Sequence, residues 1–201
     1  MELVGERWSL LVVRELMFGP LRFSDLRAGL PGISAKVLTE RLAGLEAAGI
    51  LIRRKLGPPV SAQVYELTRW GYAADIAIME LGRWAALSQR HDPTLPLSPA
   101  SLMMSFRTMI DPVSMREADA DLGFSIADQH FRVRLVDGAL SIERAWTDGA
   151  QVIVRASSAP PVAAHIYGEV PLAQLPELEV EGDIDVLARF GAVVNLPSKI
   201  A

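Results

Sequence analysis

The segment from Ser34 to Gly49 constrains the fold most, because it contains a helix start, an apolar stripe and a helix stop in succession. Serine is a favoured N-cap residue, and glycine supplies the left-handed conformation with which many helices end. At 100° per residue, three leucines lie within about 60° of one another and form the apolar face. They are Leu38, Leu42 and Leu45. Small or polar residues occupy the opposite side, so the sequence predicts a helix with one buried and one exposed face.

Two helix patterns precede this segment, and a hairpin pattern follows it. The first helix pattern ends at Gly19-Pro20, and the second ends near Gly29. Strand-like residues occupy 50–55 and 62–67, on either side of the turn-forming Gly57-Pro58-Pro59. Three helices followed by a β-hairpin is the layout of a winged helix-turn-helix, in which the third helix enters the major groove of DNA.

The outer side of the third helix and the basic start of the hairpin carry the residues that we expect to contact DNA. Lysine can donate to guanine, glutamate can accept from cytosine, and the basic hairpin residues can neutralise phosphates. The predicted contacts are Ser34, Ala35, Lys36, Thr39, Glu40, Arg41, Arg53, Arg54, Lys55 and Gln63. The alternative for such a helix is a solvated face without a partner. Arg41 lies at the edge of the apolar face, and this position is consistent with two roles: packing against the core and contact with a phosphate.

Charge divides the chain into two parts. Residues 1–90 carry 12 Lys and Arg against 9 Asp and Glu, a net charge of +3, whereas residues 91–201 carry 8 against 15, a net charge of −7. Such asymmetry indicates two modules with different roles. A long helix is predicted over 69–87, and three prolines within 91–99 predict a linker. We therefore expect a DNA-binding domain at 1–90, the linker, and a second domain at 100–201.

Consecutive motifs of the first part resemble the HxlR-type family of winged-helix regulators. In chain order they are Leu3–Leu11, Gly19–Leu26, Leu30–Ser34, Val37–Leu42, Leu45–Ile50 and Tyr65–Thr68. The resemblance implies a cytoplasmic homodimer that binds a palindromic operator in double-stranded DNA, with repression as the expected output. Members of this family often carry a cysteine before the first helix, and some sense reactive chemicals with it. This chain has no cysteine, so we expect its signal to enter elsewhere.

The second part has the pattern of an α+β domain. A helix is predicted over 100–110, strands follow, and Asp137-Gly138 and Asp148-Gly149 are strong hairpin signals. Further helices are expected near 160–167 and after Asp183. The predicted fold class is thus α+β, with an N-terminal winged helix-turn-helix followed by a C-terminal domain in which helices cover an antiparallel sheet.

The end of this part resembles sterol-carrier-type lipid-binding domains, through Leu178–Asp183 together with Leu187 and Phe190. The resemblance implies an apolar pocket, where an apolar small molecule would bind and change operator affinity. The candidate lining residues are Met103, Met104, Phe106, Met109, Phe124, Phe131, Trp146 and Ile166. The alternative is that these residues fill a core, and that the domain is a dimerisation module without ligand sensing.

The sequence lacks the motifs that mark several classes of protein. The chain contains no nucleophile elbow, zinc-protease or P-loop motif, so we expect no enzyme. With no cysteine and three histidines, neither a metal site nor a cofactor is expected. No uncharged apolar run reaches about 18 residues, so no membrane partner is expected. A protein-interaction module with a winged-helix fold remains the alternative for the first part.

Overall fold

The computed structural model describes residues 4–57, 61–92 and 95–200, and the chain divides between Ile78 and Met79 into two compact units. Pro58 and Pro59 of the predicted turn, and Pro93 and Thr94 of the predicted linker, lie outside the described residues. Within the described ranges, no helix combines the length and the apolar character that a membrane span requires.

The first unit contains helices arranged around one hairpin. Its helices are α1 (Ser9–Leu16), α2 (Phe23–Ala28), α3 (Ala35–Ala47) and α4 (Arg69–Tyr72), and α5 (Asp75–Ala86) begins in it. Its strands, β1 (Leu51–Lys55) and β2 (Gln63–Leu67), pair antiparallel, as predicted. The helices and the hairpin share a core that includes Val12, Leu16, Leu26, Leu38, Leu42, Leu45, Leu51 and Leu67.

The predicted third helix is confirmed as α3. The Ser34 hydroxyl oxygen accepts a hydrogen bond from the backbone N–H of Val37 at 3.2 Å, which caps the helix start. After the helix end, Gly49 adopts a φ of 73°, a left-handed conformation that glycine takes without strain. The three leucines of the apolar stripe are at most 1% exposed, so the opposite side of α3 faces solvent.

The single long helix predicted over 69–87 is wrong, because the chain forms two helices separated at Ala73 and Ala74. The backbone N–H groups of these two alanines donate to carbonyls three residues back, at 3.1 and 3.2 Å, and this tighter turn ends α4. Gly71 of α4 lies against the Ile50 carbonyl, where an added Cβ would come within 2.1 Å of the oxygen. Periodicity could not predict this break, because it accompanies a contact with a distant part of the backbone.

The second unit contains a five-stranded sheet in the order β5-β4-β3-β6-β7. The strands are β3 (Ala120–Ile126), β4 (Gln129–Val136), β5 (Ala139–Arg144), β6 (Val152–Ala156) and β7 (Leu178–Gly182). The helices are α6 (Pro99–Met109), α7 (Ala159–Gly168) and α8 (Ile184–Val193), with short 3-10 turns at Ser114–Glu117 and Leu172–Gln174. The ring of Phe106 in α6 lies 5.5 Å from that of Phe124 in β3 and 5.2 Å from that of Phe190 in α8. Helices and sheet therefore share an aromatic core.

The prediction of a wholly antiparallel sheet is wrong, because β6 pairs parallel with β3. Asp137-Gly138 does form the predicted hairpin turn between β4 and β5, with φ values of 51° and 69°. Asp148-Gly149 instead lies in a crossover loop, residues 145–151. This loop leads from the edge strand β5 past β4 and β3 to β6. Gln151 places the start of β6 beside β3, since its backbone N–H donates to the Asp121 carbonyl at 2.9 Å and its side-chain oxygen accepts from the Asp121 N–H at 3.0 Å.

Arg132 of β4 holds the crossover loop against the sheet. Its buried guanidinium forms a two-bond salt bridge with Asp121 and donates to the carbonyls of Thr147 and Asp148 at 3.0 and 2.8 Å. Gly123 makes room for the loop, because an added Cβ would lie 2.5 Å from the Cβ of Thr147. The parallel pairing of β6 with β3 thus accompanies a buried cation whose hydrogen bonds are satisfied by Asp121 of β3 and by the loop.

Arg132→Leu is therefore expected to destabilise the second unit by about 3–5 kcal/mol, because it leaves the Asp121 carboxylate and two carbonyls without their donor. Arg134→Leu is the matched control, since this exposed arginine of the same strand also pairs with Asp121, at 3.6 Å, and should cost below about 1 kcal/mol. Native-state hydrogen exchange of the β3 and β4 amides measures both. Equal losses for the two variants would contradict this role of Arg132.

Candidate nucleic-acid interface

The outer side of α3 presents the residues predicted to read bases. Ser34, Ala35, Lys36, Thr39 and Glu40 are all exposed. The Thr39 hydroxyl donates to the Ala35 carbonyl at 2.9 Å, which keeps that side chain close to the helix. Lys36 and Glu40 are therefore the long side chains that project from this surface. Within the described residues, Lys36 has no carboxylate within ion-pair distance.

Arg41 makes its closest ion pair outside this surface. Its guanidinium lies 2.6 Å from the carboxylate of Glu6, which precedes α1, and 4.0 Å from that of Glu40. Its side chain is only 20% exposed. The ion pair with Glu6 connects α3 to the segment before α1, which gives Arg41 a structural contact, while its predicted phosphate contact remains a prediction.

The hairpin separates its basic residues onto two faces. Because side chains alternate along a strand and β1 pairs Arg53 with Tyr65 and Lys55 with Gln63, these four residues share one face. The Arg53 guanidinium lies over the Tyr65 ring at 5.6 Å. It also reaches the carboxylate of Glu46 on α3 at 3.0 Å. This face of the hairpin therefore borders α3.

Arg54 lies on the other face of the hairpin, towards α4. Its guanidinium is 2.8 Å from the carboxylate of Glu66. Burial raises the pKa of the Tyr72 hydroxyl, the charge of Glu66 raises it further, and the charge of Arg54 opposes this shift. The three side chains thus form one electrostatic environment beside α4. Among the predicted contacts, Arg54 does not share the hairpin face that borders α3.

The acidic partners of these arginines were missed by sequence analysis. Glu6, Glu46 and Glu66 each lie within 3.0 Å of an arginine predicted to contact DNA. Glu46 and Arg53 are separated by the end of a helix and a turn, so no helical or strand spacing relates them. Only the packing of β1 beside α3 brings the two side chains together.

Seven of the eight residues predicted to line a pocket are buried in the second unit. The prediction is wrong for the eighth, Trp146. Trp146 is 74% exposed, with its ring 4.8 Å from that of His130. It belongs to the crossover loop, and His130 points to the sheet face opposite Phe131, because neighbouring residues of a strand alternate. Trp146 is therefore excluded from the interior by the loop that the parallel pairing requires.

A partly buried polar pair beside this interior was also missed. The Tyr167 hydroxyl of α7 lies 2.8 Å from the Ser105 hydroxyl of α6, and the Tyr167 ring is 6.1 Å from that of Phe106. Burial raises the pKa of Tyr167, and the hydrogen bond with Ser105 opposes that shift. Across residues 4–57, 61–92 and 95–200, no three His, Asp or Glu side chains are arranged to hold a metal ion.

Comparison with known proteins identifies relatives of the first part. Residues 3–92 match the HxlR-like helix-turn-helix family. Over 85 residues the chain is 36% identical to the HTH-type transcriptional regulator YvaP of Bacillus subtilis, a match that covers 42% of this chain and 78% of the relative. Over 83 residues it is 39% identical to the HTH-type transcriptional regulator YodB of the same organism, covering 41% and 74%.

A solved structure of one relative also matches. The reduced form of the transcriptional regulator YodB from B. subtilis has 36% sequence identity and a TM-score of 0.41, and the match covers 45% of this chain and 89% of that chain. The family match, residues 3–92, contains α3 and both strands of the hairpin.

Proposed function

The chain belongs to the HxlR-like helix-turn-helix family, and we propose that it is a repressor that binds a palindromic operator as a homodimer. Its relatives are named as HTH-type transcriptional regulators, so it is a DNA-binding transcriptional regulator and not an enzyme. One observation supports a DNA-binding surface formed by α3 and the hairpin. The exposed side of α3 borders the hairpin face that carries Arg53 and Lys55.

In this proposal α3 lies in the major groove, where Lys36, Thr39 and Glu40 contact base edges. Ser34 and Ala35 lie at the exposed start of the helix, beside these residues. Arg53, Lys55 and Gln63 contact the sugar-phosphate backbone beside the groove, with Arg54 and Arg41 as further phosphate contacts. Base contacts give sequence preference, whereas phosphate contacts give affinity that does not depend on sequence.

The surface of α5 supports the homodimer. Three large apolar side chains of this helix are exposed: Ile76, Leu81 and Trp84. Exposed apolar patches of this kind favour association, and a twofold interface matches the symmetry of a palindromic site. The second copy would cover the exposed side chains of α5.

We propose that the second part is the sensor. It forms a domain at 100–201, which a linker at 91–99 joins to the DNA-binding domain at 1–90. Its apolar interior, with the Tyr167 and Ser105 hydroxyls between α6 and α7, has the chemistry of a site for an apolar small molecule. A ligand would change operator affinity only to the extent that it binds the two states of the protein differently. Without a ligand, the same domain would serve only for dimerisation.

Substitutions of two lysines separate base reading from phosphate contact. Lys36→Ala should lose about tenfold affinity for a duplex that the wild-type protein has selected from a random pool, with little change for random duplex. Lys55→Gln should weaken both equally and reduce the slope of log affinity against log salt by about 0.9. Arg189→Gln, on α8, is the control. Fluorescence anisotropy measures all three, and salt-independent binding by the wild-type protein would favour the protein-interaction alternative.

The homodimer is tested by placing a charge on α5. Trp84→Lys should shift the protein from dimer to monomer, because a lysine cannot be buried in an apolar interface without a partner. Trp146→Lys is the matched control, since Trp146 is 74% exposed and Trp84 is 72% exposed. Sedimentation velocity distinguishes the two. A dimer that survives Trp84→Lys, or a monomeric wild-type protein, contradicts the proposed α5 interface.

The sensor is tested with a fluorescent long-chain fatty acid added to the full chain. We expect saturable binding that the unlabelled fatty acid displaces, together with a change in affinity for the selected duplex. Trp146→Ala should leave the binding unchanged, because this side chain is exposed. Saturated binding without any change in duplex affinity would contradict ligand control, and absence of saturable binding would favour a filled core.

A further inference from the structure

Glu46 lies at the border between the base-reading side of α3 and the hairpin. It follows Thr39 by seven residues, which at 100° per residue places the two side chains within about 20° of each other around the helix axis. Its carboxylate faces β1, where it is 3.0 Å from the Arg53 guanidinium. A carboxylate at this position repels a phosphate that approaches Arg53, because both groups are negatively charged, and the two anions compete for the same cation.

Arg53 is held in this pair from two sides. The Tyr65 ring lies under its guanidinium at 5.6 Å, and Glu46 binds the guanidinium from α3. Arg53 and Glu46 are 45% and 38% exposed, so the pair is open to solvent and weak enough to be exchanged for another anion. A phosphate can therefore replace the carboxylate, but only by separating an existing pair.

Lys55 provides a contrast on the same face of the hairpin. Within the described residues Lys55 has no carboxylate at ion-pair distance, whereas Arg53 is paired before DNA arrives. The two cations thus differ in what a phosphate must displace.

We propose that Glu46 limits the binding of non-operator DNA by holding Arg53 in an ion pair that only a closely docked phosphate displaces. This inference rests on the proposed function and adds a determinant of specificity to it. The carboxylate contributes by weakening random binding more than operator binding, because selectivity is a difference between two affinities.

The test is Glu46→Gln in the full chain, measured on a labelled random-sequence duplex over a range of salt concentrations. We expect affinity for this duplex to rise about three- to fivefold and the slope of log affinity against log salt to steepen by up to about 0.9, as one more arginine becomes available to phosphate. On the duplex selected by the wild-type protein the gain should be smaller, so selectivity falls.

Glu181→Gln is the matched control, because Glu181 is an exposed residue of β7 whose carboxylate pairs with Arg155 at 2.7 Å. It removes the same charge and the same kind of ion pair in the second unit, and it should change affinity by less than about twofold. A double-mutant cycle with Arg53→Gln then tests the pair itself. In the Arg53→Gln background, Glu46→Gln should have no effect.

Two results would overturn the inference alone: a Glu46→Gln affinity equal to that of Glu181→Gln, or a gain that persists undiminished in the Arg53→Gln background. In both cases the wild-type protein would still bind duplex with a steep salt dependence, and the proposed function would stand. A wild-type protein that does not bind duplex at all would overturn both together. Thermal unfolding of each variant establishes that the compared proteins are folded.

Discussion

The burial of Leu38, Leu42 and Leu45 sets the rotation of α3 about its own axis, and the candidate interface depends on that rotation. A helix whose apolar stripe is fully covered has one orientation in which Lys36 and Glu40 face outward. The N-cap at Ser34 then fixes where the exposed surface begins along the chain. Packing in the core thus determines which side chains are available to a partner, although none of the three leucines would touch DNA.

The same packing places the hairpin beside α3 and creates the ion pairs that accompany it. Arg53 meets Glu46 because β1 follows α3 after one left-handed turn at Gly49. Arg54, one residue later, points to the other face and meets Glu66. The net charge of residues 1–90 is only +3, because many of their basic residues are balanced by acidic ones. In the structure, several basic residues near the proposed DNA surface are paired with these carboxylates.

Local signals predicted most elements, and long-range contacts account for the failures. The start and end of α3, the strands β1 and β2, and the turn at Asp137-Gly138 follow from caps, alternation and turn residues that act over a few positions. The division of the predicted 69–87 helix involves Gly71 against a distant carbonyl. The parallel β3–β6 pair accompanies Arg132, whose partners come from β3 and from the crossover loop.

Local signals likewise predicted one part of the candidate interface and missed the contacts made by packing. The exposed residues of α3 could be predicted because helical geometry alone decides their direction. The partners of Arg41 and Arg53 could not, because Glu6 and Glu46 reach them through packing between elements. Trp146 was assigned to the interior on its apolar character, which does not reveal that its loop crosses the outer face of the sheet.

The most direct test of DNA binding through α3 is hydrogen exchange of the full chain with and without the selected duplex. Binding through α3 and the hairpin predicts slower exchange in peptides covering 34–47 and 51–67, with β3, β4 and β6 unchanged. Slower exchange confined to the sheet of the second unit, or no change at a saturating duplex concentration, would contradict it.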